Sequence, residues 1–270
     1  MNYIKYLKSQ DDTLIYTKIN DVMEAKANII IVHGLAEHLD RYDELTNYLN
    51  EHNFNVIRFD QRGHGRSGGE PTFYSHIDEI VEDLTTVVNY VKEHFKEKVY
   101  LIGHSMGGYS VTLFGTKEKD KVDGIITSGA LTRYNLPLFG EPERNINPKT
   151  YIDNELGEGV CSDTTVIEKY KEDDLNAKKI SMGLIYTLLD GVDYLKQHAS
   201  EFKYPILILH GKDDGLVSYH DSLELFAEIG TKHKSIHIYD DLQHEIFNES
   251  SYNLSIFAEI VDWLNNRLQK

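Results

Sequence analysis

Short, β-branched apolar runs recur along this chain, with helix-period stretches between them. Asn28–Val32 (NIIIV), Asn55–Asp60 (NVIRFD), Lys98–Gly103 (KVYLIG), Val122–Ser128 (VDGIITS), Pro205–Leu209 (PILIL) and Ser235–Tyr239 read as strands. Asp40–His52, Ile77–Phe95, Met106–Thr116, His220–Ile229 and Ser251–Leu268 read as helices. Near-continuous apolar strands are buried on both faces, and strands alternating with helices of this length build βαβ units. The pattern predicts an α/β fold with a mostly parallel central sheet and helices on both faces. Tyr3–Lys8 and Thr13–Ile19, on either side of Ser9-Gln10-Asp11-Asp12, predict an N-terminal hairpin. With 270 residues, 40% of them hydrophobic, the chain can bury one large core without disulfides or metals.

The rhythm breaks between Ser128 and Tyr204, where no strand is legible. Pro137, Pro142 and Pro148 fall there, followed by a helical stretch over Lys178–Lys196. Its apolar residues, among them Ile180, Leu184, Ile185, Leu188, Val192 and Leu195, surround much of its circumference. Such a helix is covered on most sides or faces a partner or ligand. Residues 131–200 are therefore expected to form an inserted helical cap over the sheet. Residues 1–130 and 201–270 would form one discontinuous core. The plainer reading of the same segment is an extra pair of packed helices.

Charge narrows the choice of partner. Asp and Glu number 44 against 28 Lys and Arg, a net of −16. Nucleic-acid binding needs a basic footprint, so it is not expected, and anionic headgroups are not attractive partners. One cysteine, Cys161, leaves no intramolecular disulfide and suits a reducing compartment. Met1–Asp12 has no apolar core like that of a secretory leader, and no run is long enough for a membrane span, so the expected location is cytoplasmic. The glycine-rich segment Asp60–Gly69 lacks the Walker spacing and reads as a structural loop beside the site. No His or Cys spacing suits a metal, and no metal or cofactor is expected. The sequence sets no oligomeric state.

The densest chemical signal is Gly103-His104-Ser105-Met106-Gly107-Gly108, between an expected strand and an expected helix. A serine on so sharp a strand-to-helix turn is exposed as a nucleophile, with the helix N-terminus aimed at it. A serine hydroxyl needs a base oriented by a third group. In this architecture the acid and then the histidine follow in chain order, each after a strand. After Pro205–Leu209 comes His210-Gly211-Lys212-Asp213-Asp214, which offers two acids. After Ser235–Tyr239 comes Asp240-Asp241-Leu242-Gln243-His244, and His244 alone lies between the last strand and the last helix. His237 lies inside that strand, and His220 starts a helix elsewhere. His104 precedes the serine and is expected to pack beneath it. An oxyanion hole needs one N–H from the residue after the nucleophile, Met106. It needs another from the loop His33–His38, where Leu35 is the natural donor.

These segments resemble the α/β-hydrolase superfamily, and within it the monoacylglycerol lipase and lysophospholipase group. The resemblance rests on His33-Gly34-Leu35-Ala36-Glu37-His38 with Arg41-Tyr42, Asp60-Gln61-Arg62-Gly63-His64-Gly65-Arg66-Ser67, Gly103–Gly108, His210–Asp214 and His244-Glu245. They span nearly the whole chain in the family's order. The resemblance implies Ser105 as nucleophile, His244 as base and Asp214, rather than Asp213, as its orienter, with Leu35 and Met106 as oxyanion donors. It implies a serine ester hydrolase working through an acyl-enzyme. One departure is Ala36, where the family often has glycine.

The expected substrate is a neutral ester of medium or long acyl chain, such as a monoacylglycerol or a lysophospholipid, with transient lipid contact through the cap. The 131–200 segment carries 8 basic and 12 acidic residues, without the clustered Arg that an anionic headgroup would call for. Rival readings are a general carboxylesterase for short esters and an aminopeptidase-type relative. The aminopeptidase would use acids such as Glu155, Glu158, Asp163, Asp173 or Asp174 to hold an amine. A non-catalytic ligand-binding protein on the same scaffold is the rival from a different class. Cys161 has no basic neighbours in sequence and reads as an apolar filler.

Overall fold

The computed structural model describes residues 1–269. Its central sheet uses eight strands. They are β1 (Asn2–Lys8), β2 (Leu14–Asn20), β3 (Ala27–Val32), β4 (Phe54–Phe59), β5 (Val99–His104), β6 (Gly124–Ser128), β10 (Ile206–Gly211) and β11 (Lys234–Tyr239). Their spatial order is β1-β2-β4-β3-β5-β6-β10-β11. The hairpin β1–β2 and the β2–β4 pair are antiparallel, and every other pairing is parallel. The expected hairpin and mostly parallel sheet are both present.

Every residue of β3, β4, β5, β6 and β10 is buried. The two-residue alternation of strands divides their side chains between two layers. Ile30, Ile57, Leu101, Ile125 and Ile208 face helices α2 (Ile77–His94), α3 (Met106–Lys117), α5 (Met182–His198) and α6 (Tyr219–Glu228). Ile29, Ile31, Val56, Ile102 and Leu209 face helices α1 (Asp43–Glu51) and α7 (Asn253–Leu268). The edge strand β1 is mostly exposed, including Ile4 and Tyr6. Among the described residues, no helix is long and apolar enough to cross a membrane.

The 131–200 segment differs from expectation in two ways. Strands do occur there: β7 (Tyr151–Asp153) pairs antiparallel with β9 (Lys179–Ser181), and β8 (Leu156–Gly159) lies between them in sequence. A further helix, α4 (Thr164–Glu172), was not legible, because its short amphipathic turn buries no residue. The helix expected from Lys178 starts instead at Met182. Ser181 caps it, its Oγ accepting from Leu184 N at 3.0 Å, and the residues before it form β9.

The apolar circumference of α5 is explained by cover on most sides. Leu184, Ile185, Leu188, Val192 and Leu195 are all buried in the same layer as α2 and α3. The approach to α3 is close enough that Gly191 leaves room for Tyr109, whose hydroxyl donates to Thr187 O at 3.1 Å. A Cβ at Gly191 would lie 1.7 Å from that hydroxyl. Gly191→Ala should therefore lower stability by about 1–3 kcal/mol in urea unfolding, as overpacking of a filled core does.

Candidate active site

The turn from β5 into α3 places Ser105 in a conformation few residues adopt, with φ 55° and ψ −117°. Two glycines make this possible by close approach. A Cβ on Gly103 would lie 2.3 Å from Gly107 O, and one on Gly107 would lie 2.0 Å from Val32 O. The N-terminal amides of α3 have no partners within the helix, and Met106 is the first of its residues.

Three loops at the C-terminal ends of parallel strands converge on this serine. His244 Nε2 lies 2.8 Å from Ser105 Oγ, and His244 Nδ1 lies 2.6 Å from Asp214 Oδ2. Asp214 Oδ1 accepts from Leu216 N and Val217 N, both at 2.8 Å. Its Oδ2 is also 3.0 Å from His210 Nε2. Asp213 is exposed, with its backbone bonded to Leu242 O. The structure thus brings together Ser105, His244 and Asp214, and leaves Asp213 outside. His237 pairs with Glu259 on the surface, and His220 is exposed on α6. His104 packs against the His244 ring with centroids 4.7 Å apart.

Electrostatics differ among these groups. Burial works against the charge on Asp214, but His244 and His210 beside it hold its carboxyl well below the usual range. Burial likewise opposes the charge on His244, yet Asp214 outweighs it and raises the imidazole above its ordinary value. His104, His33 and His64 lack so close a carboxylate, and burial pushes each down to about 4.

The Gly34–Leu35 turn lies directly against Ser105: a Cβ on Gly34 would be 3.2 Å from Ser105 Cβ. Gly34, Leu35, Met106, Ser105 and His244 line one cavity. Two networks hold this turn. His33 Nδ1 donates to Gly34 O at 2.8 Å, while its Nε2 accepts from Gln61 N at 2.9 Å. Gln61 Nε2 donates to His33 O at 2.7 Å, and Gln61 Oε1 accepts from Ser110 Oγ of α3. On the other side Glu37 accepts from Gly34 N and from Tyr42 Oη, and it pairs with Arg41. Arg41 also makes a bidentate pair with Glu245 at 2.7 and 2.8 Å. Burial resists charge on Glu37, but Arg41 prevails and lowers its carboxyl to about 2. Ala36 adopts φ 60°, which accounts for the family's glycine there; an alanine in this region costs on the order of 1 kcal/mol.

Sequence reasoning placed the Glu37, Arg41 and Glu245 motifs without assigning them this ion cluster. It also did not see His210 as a second partner of Asp214. The four-residue offset from His210 to Asp214 and the Glu beside His244 were the available signals. Asp60–Gly69 is a structural loop, as expected. Asp60 accepts from Leu39 N and Arg66 N, both at 2.8 Å, and Arg62 is bound by Asp83 and Asp11. Cys161 is buried, and burial pushes its thiol up to about 12.

Most of the remaining wall is apolar, formed by Leu131, Leu138, Phe139, Leu156, Val160, Leu188, Leu216 and Val217, and Glu37, Arg41, His104, Tyr170 and Glu245 make its polar part. The cavity volume is about 40 Å³. Residues 131–200 supply many of these walls and are tied to the loops below. Gly215 N donates to Gly159 O at 3.3 Å, Glu245 N to Val160 O at 2.7 Å and Ala177 N to Ala36 O at 2.9 Å.

The family model described as serine aminopeptidase, S33, matches residues 23–251. The chain belongs to this family. It is an α/β-hydrolase similar to monoacylglycerol lipases. It is 26% identical to a monoacylglycerol lipase of Mycolicibacterium smegmatis, covering 94% of each chain. It is 28% identical to the monoglyceride lipase of Rattus norvegicus, covering 90% of this chain and 84% of that one. The crystal structure of Paleococcus ferrophilus monoacylglycerol lipase superposes with a TM-score of 0.84 at 27% identity, covering 94% of this chain and 99% of that one.

The Gly107 contact sets the nucleophile's geometry. Gly107→Ala should lower stability by about 3 kcal/mol or more and remove folded protein at moderate temperature, because the obstructing atom is backbone. Thermal melting of the purified variant checks this.

Proposed function

We propose that this α/β-hydrolase is a carboxylic ester hydrolase that cleaves neutral esters, monoacylglycerols foremost, through an acyl-enzyme on Ser105. The observation that carries this reading is His244, bridging Ser105 Oγ and the buried Asp214 at the floor of an apolar cavity. Ser105 Oγ attacks the ester carbonyl as His244 Nε2 takes its proton. Asp214 holds the Nδ1–H tautomer and stabilises the imidazolium. The N–H groups of Leu35 and Met106 receive the developing oxyanion. The imidazolium then protonates the leaving alcohol. Water, activated by the same base, releases the acid and restores Ser105.

An apolar acyl wall and a polar rim suit an ester with a hydrocarbon tail and an uncharged alcohol. The aminopeptidase reading needs a free carboxylate facing the cavity for an amine. Both carboxylates there, Glu37 and Glu245, are already engaged by Arg41. Asp163 caps α4, Asp173 pairs with His38, and Glu155 and Asp174 are exposed. Glu158 lies outside the residues whose side chains are described. Residues 131–200 act as the cap in this reading, and exposed Leu136, Ile146 and Ile152 on it suit brief contact with lipid. A single buried cysteine suits a cytosolic setting.

Ser105→Ala should abolish labelling by a fluorophosphonate and lower hydrolysis of monoacylglycerols by on the order of 10⁴-fold or more, with folding intact. Retention of wild-type turnover would remove Ser105 from the mechanism. The base must be neutral to act, and the ordinary imidazole value is 6.5. Activity should therefore rise with pH through a midpoint above that value. Asp214→Asn removes the charge that raises it, so the midpoint should fall while turnover drops on the order of 10⁴-fold. A pH–kcat/KM profile of both proteins checks this.

A further inference from the structure

Tyr134 has no role in the chemistry above, yet it occupies an unfavourable backbone conformation with φ 66°. A bulky side chain is strained there, so the surroundings must hold it. The holder is Asp221 of α6, fully buried. Its Oδ2 accepts from Thr132 N at 3.1 Å, Arg133 N at 2.8 Å and Tyr134 N at 2.9 Å. Its Oδ1 accepts from the backbone N–H and the side-chain amide of Asn135, both at 3.0 Å. Four consecutive amides thus converge on one carboxylate, which fastens the chain just after it leaves the sheet.

The Tyr134 side chain then closes the loop that follows. Its hydroxyl accepts from Phe139 N at 2.7 Å and donates to Gly140 O at 3.0 Å. Between these points Leu138 N bonds Leu136 O, and Gly140 N bonds Pro137 O, both at 2.9 Å. The loop has no regular secondary structure of its own. Tyr134, Leu138 and Phe139 pack against the core, and these few bonds set the path of the backbone between them. Two of the loop's side chains, Leu138 and Phe139, line the cavity that holds Ser105.

We propose that Tyr134 is a specificity-determining positioning residue: its hydroxyl clasps the 134–140 loop and so fixes Leu138 and Phe139 as a wall for the acyl chain. The proposal rests on the ester-hydrolase reading. The wall touches substrate only where an acyl chain extends beyond the reacting carbonyl. Losing the clasp therefore weakens recognition of long chains and spares the chemistry on short ones.

The test compares wild type, Tyr134→Phe and Tyr134→Asn on p-nitrophenyl butyrate and p-nitrophenyl dodecanoate, with KM and kcat separated. Tyr134→Phe keeps the ring and loses the hydroxyl. Tyr134→Asn tolerates the left-handed backbone and also loses the clasp. In both variants the dodecanoate-to-butyrate ratio of kcat/KM should fall by roughly fivefold or more, carried mainly by KM for the long ester. The kcat for butyrate should stay within about twofold of wild type. An unchanged ratio overturns the clasp, as does an equal loss on both esters. A wild-type chain that turns over neither ester overturns the functional reading and this proposal with it. An active wild type with unaltered variants overturns the clasp alone.

Discussion

The close approach of the α3 N-terminus to the C-terminal end of β3 is the constraint on which the site depends. With only hydrogen at Gly103 and Gly107, the helix begins against the carbonyl of Val32. That contact turns Ser105 out of the strand line at φ 55° and seats it at the N-terminus of α3. It also brings the chain leaving β3, His33 to Leu35, alongside the same serine. Ser105 and the Gly34–Leu35 turn are positioned by one packing event, because β3 and β5 are neighbours in the sheet.

Charge then holds together what packing brings near. Arg41 joins Glu37, which follows the Gly34–Leu35 turn, to Glu245, next to His244. One guanidinium therefore spans two loops that are far apart in sequence. A buried charge left without its partner is costly, so the three groups stand or fall together. Asp214 does similar work on the other side. It accepts from Leu216 N and Val217 N while facing two histidines, so its own loop is fixed by the carboxylate that orients the base. The histidines below the site, lacking such a partner, stay neutral and serve as shape and hydrogen-bond partners.

The parallel core was legible because its strands are apolar on both faces, a pattern few other structures produce. The loops after those strands were legible because Gly-His-Ser-Met-Gly, His-Gly-Lys-Asp-Asp and the histidine after the last strand each sit at a strand end. The 131–200 segment was legible only as an interruption. Strands β7 and β9 are three residues each, and their pairing brings together Tyr151 and Ser181, too far apart for any local pattern to register. Helix α4 has 9 residues and only half-buries Val166, Ile167 and Tyr170, a stripe too short to register in the sequence. The ion cluster was also out of reach, since Arg41 and Glu245 meet only through the sheet order.

By itself, the sequence determined the α/β architecture and the order of the serine, acid and histidine at the strand ends. These follow from local rules: periodicity, turn geometry and the chemistry a residue type can perform. Asp214 was already favoured over Asp213 by the family's pattern, and tertiary structure supplied the physical reason by turning its carboxylate inward and leaving the other exposed. It alone raised His244 and lowered His104, since a histidine's proton affinity depends on which charges fold brings beside it. It also decided the course of the chain beside the cavity, where Asp221, on a helix remote in sequence, holds the strained turn at Tyr134. Those outcomes depend on contacts between distant segments, which no local pattern encodes.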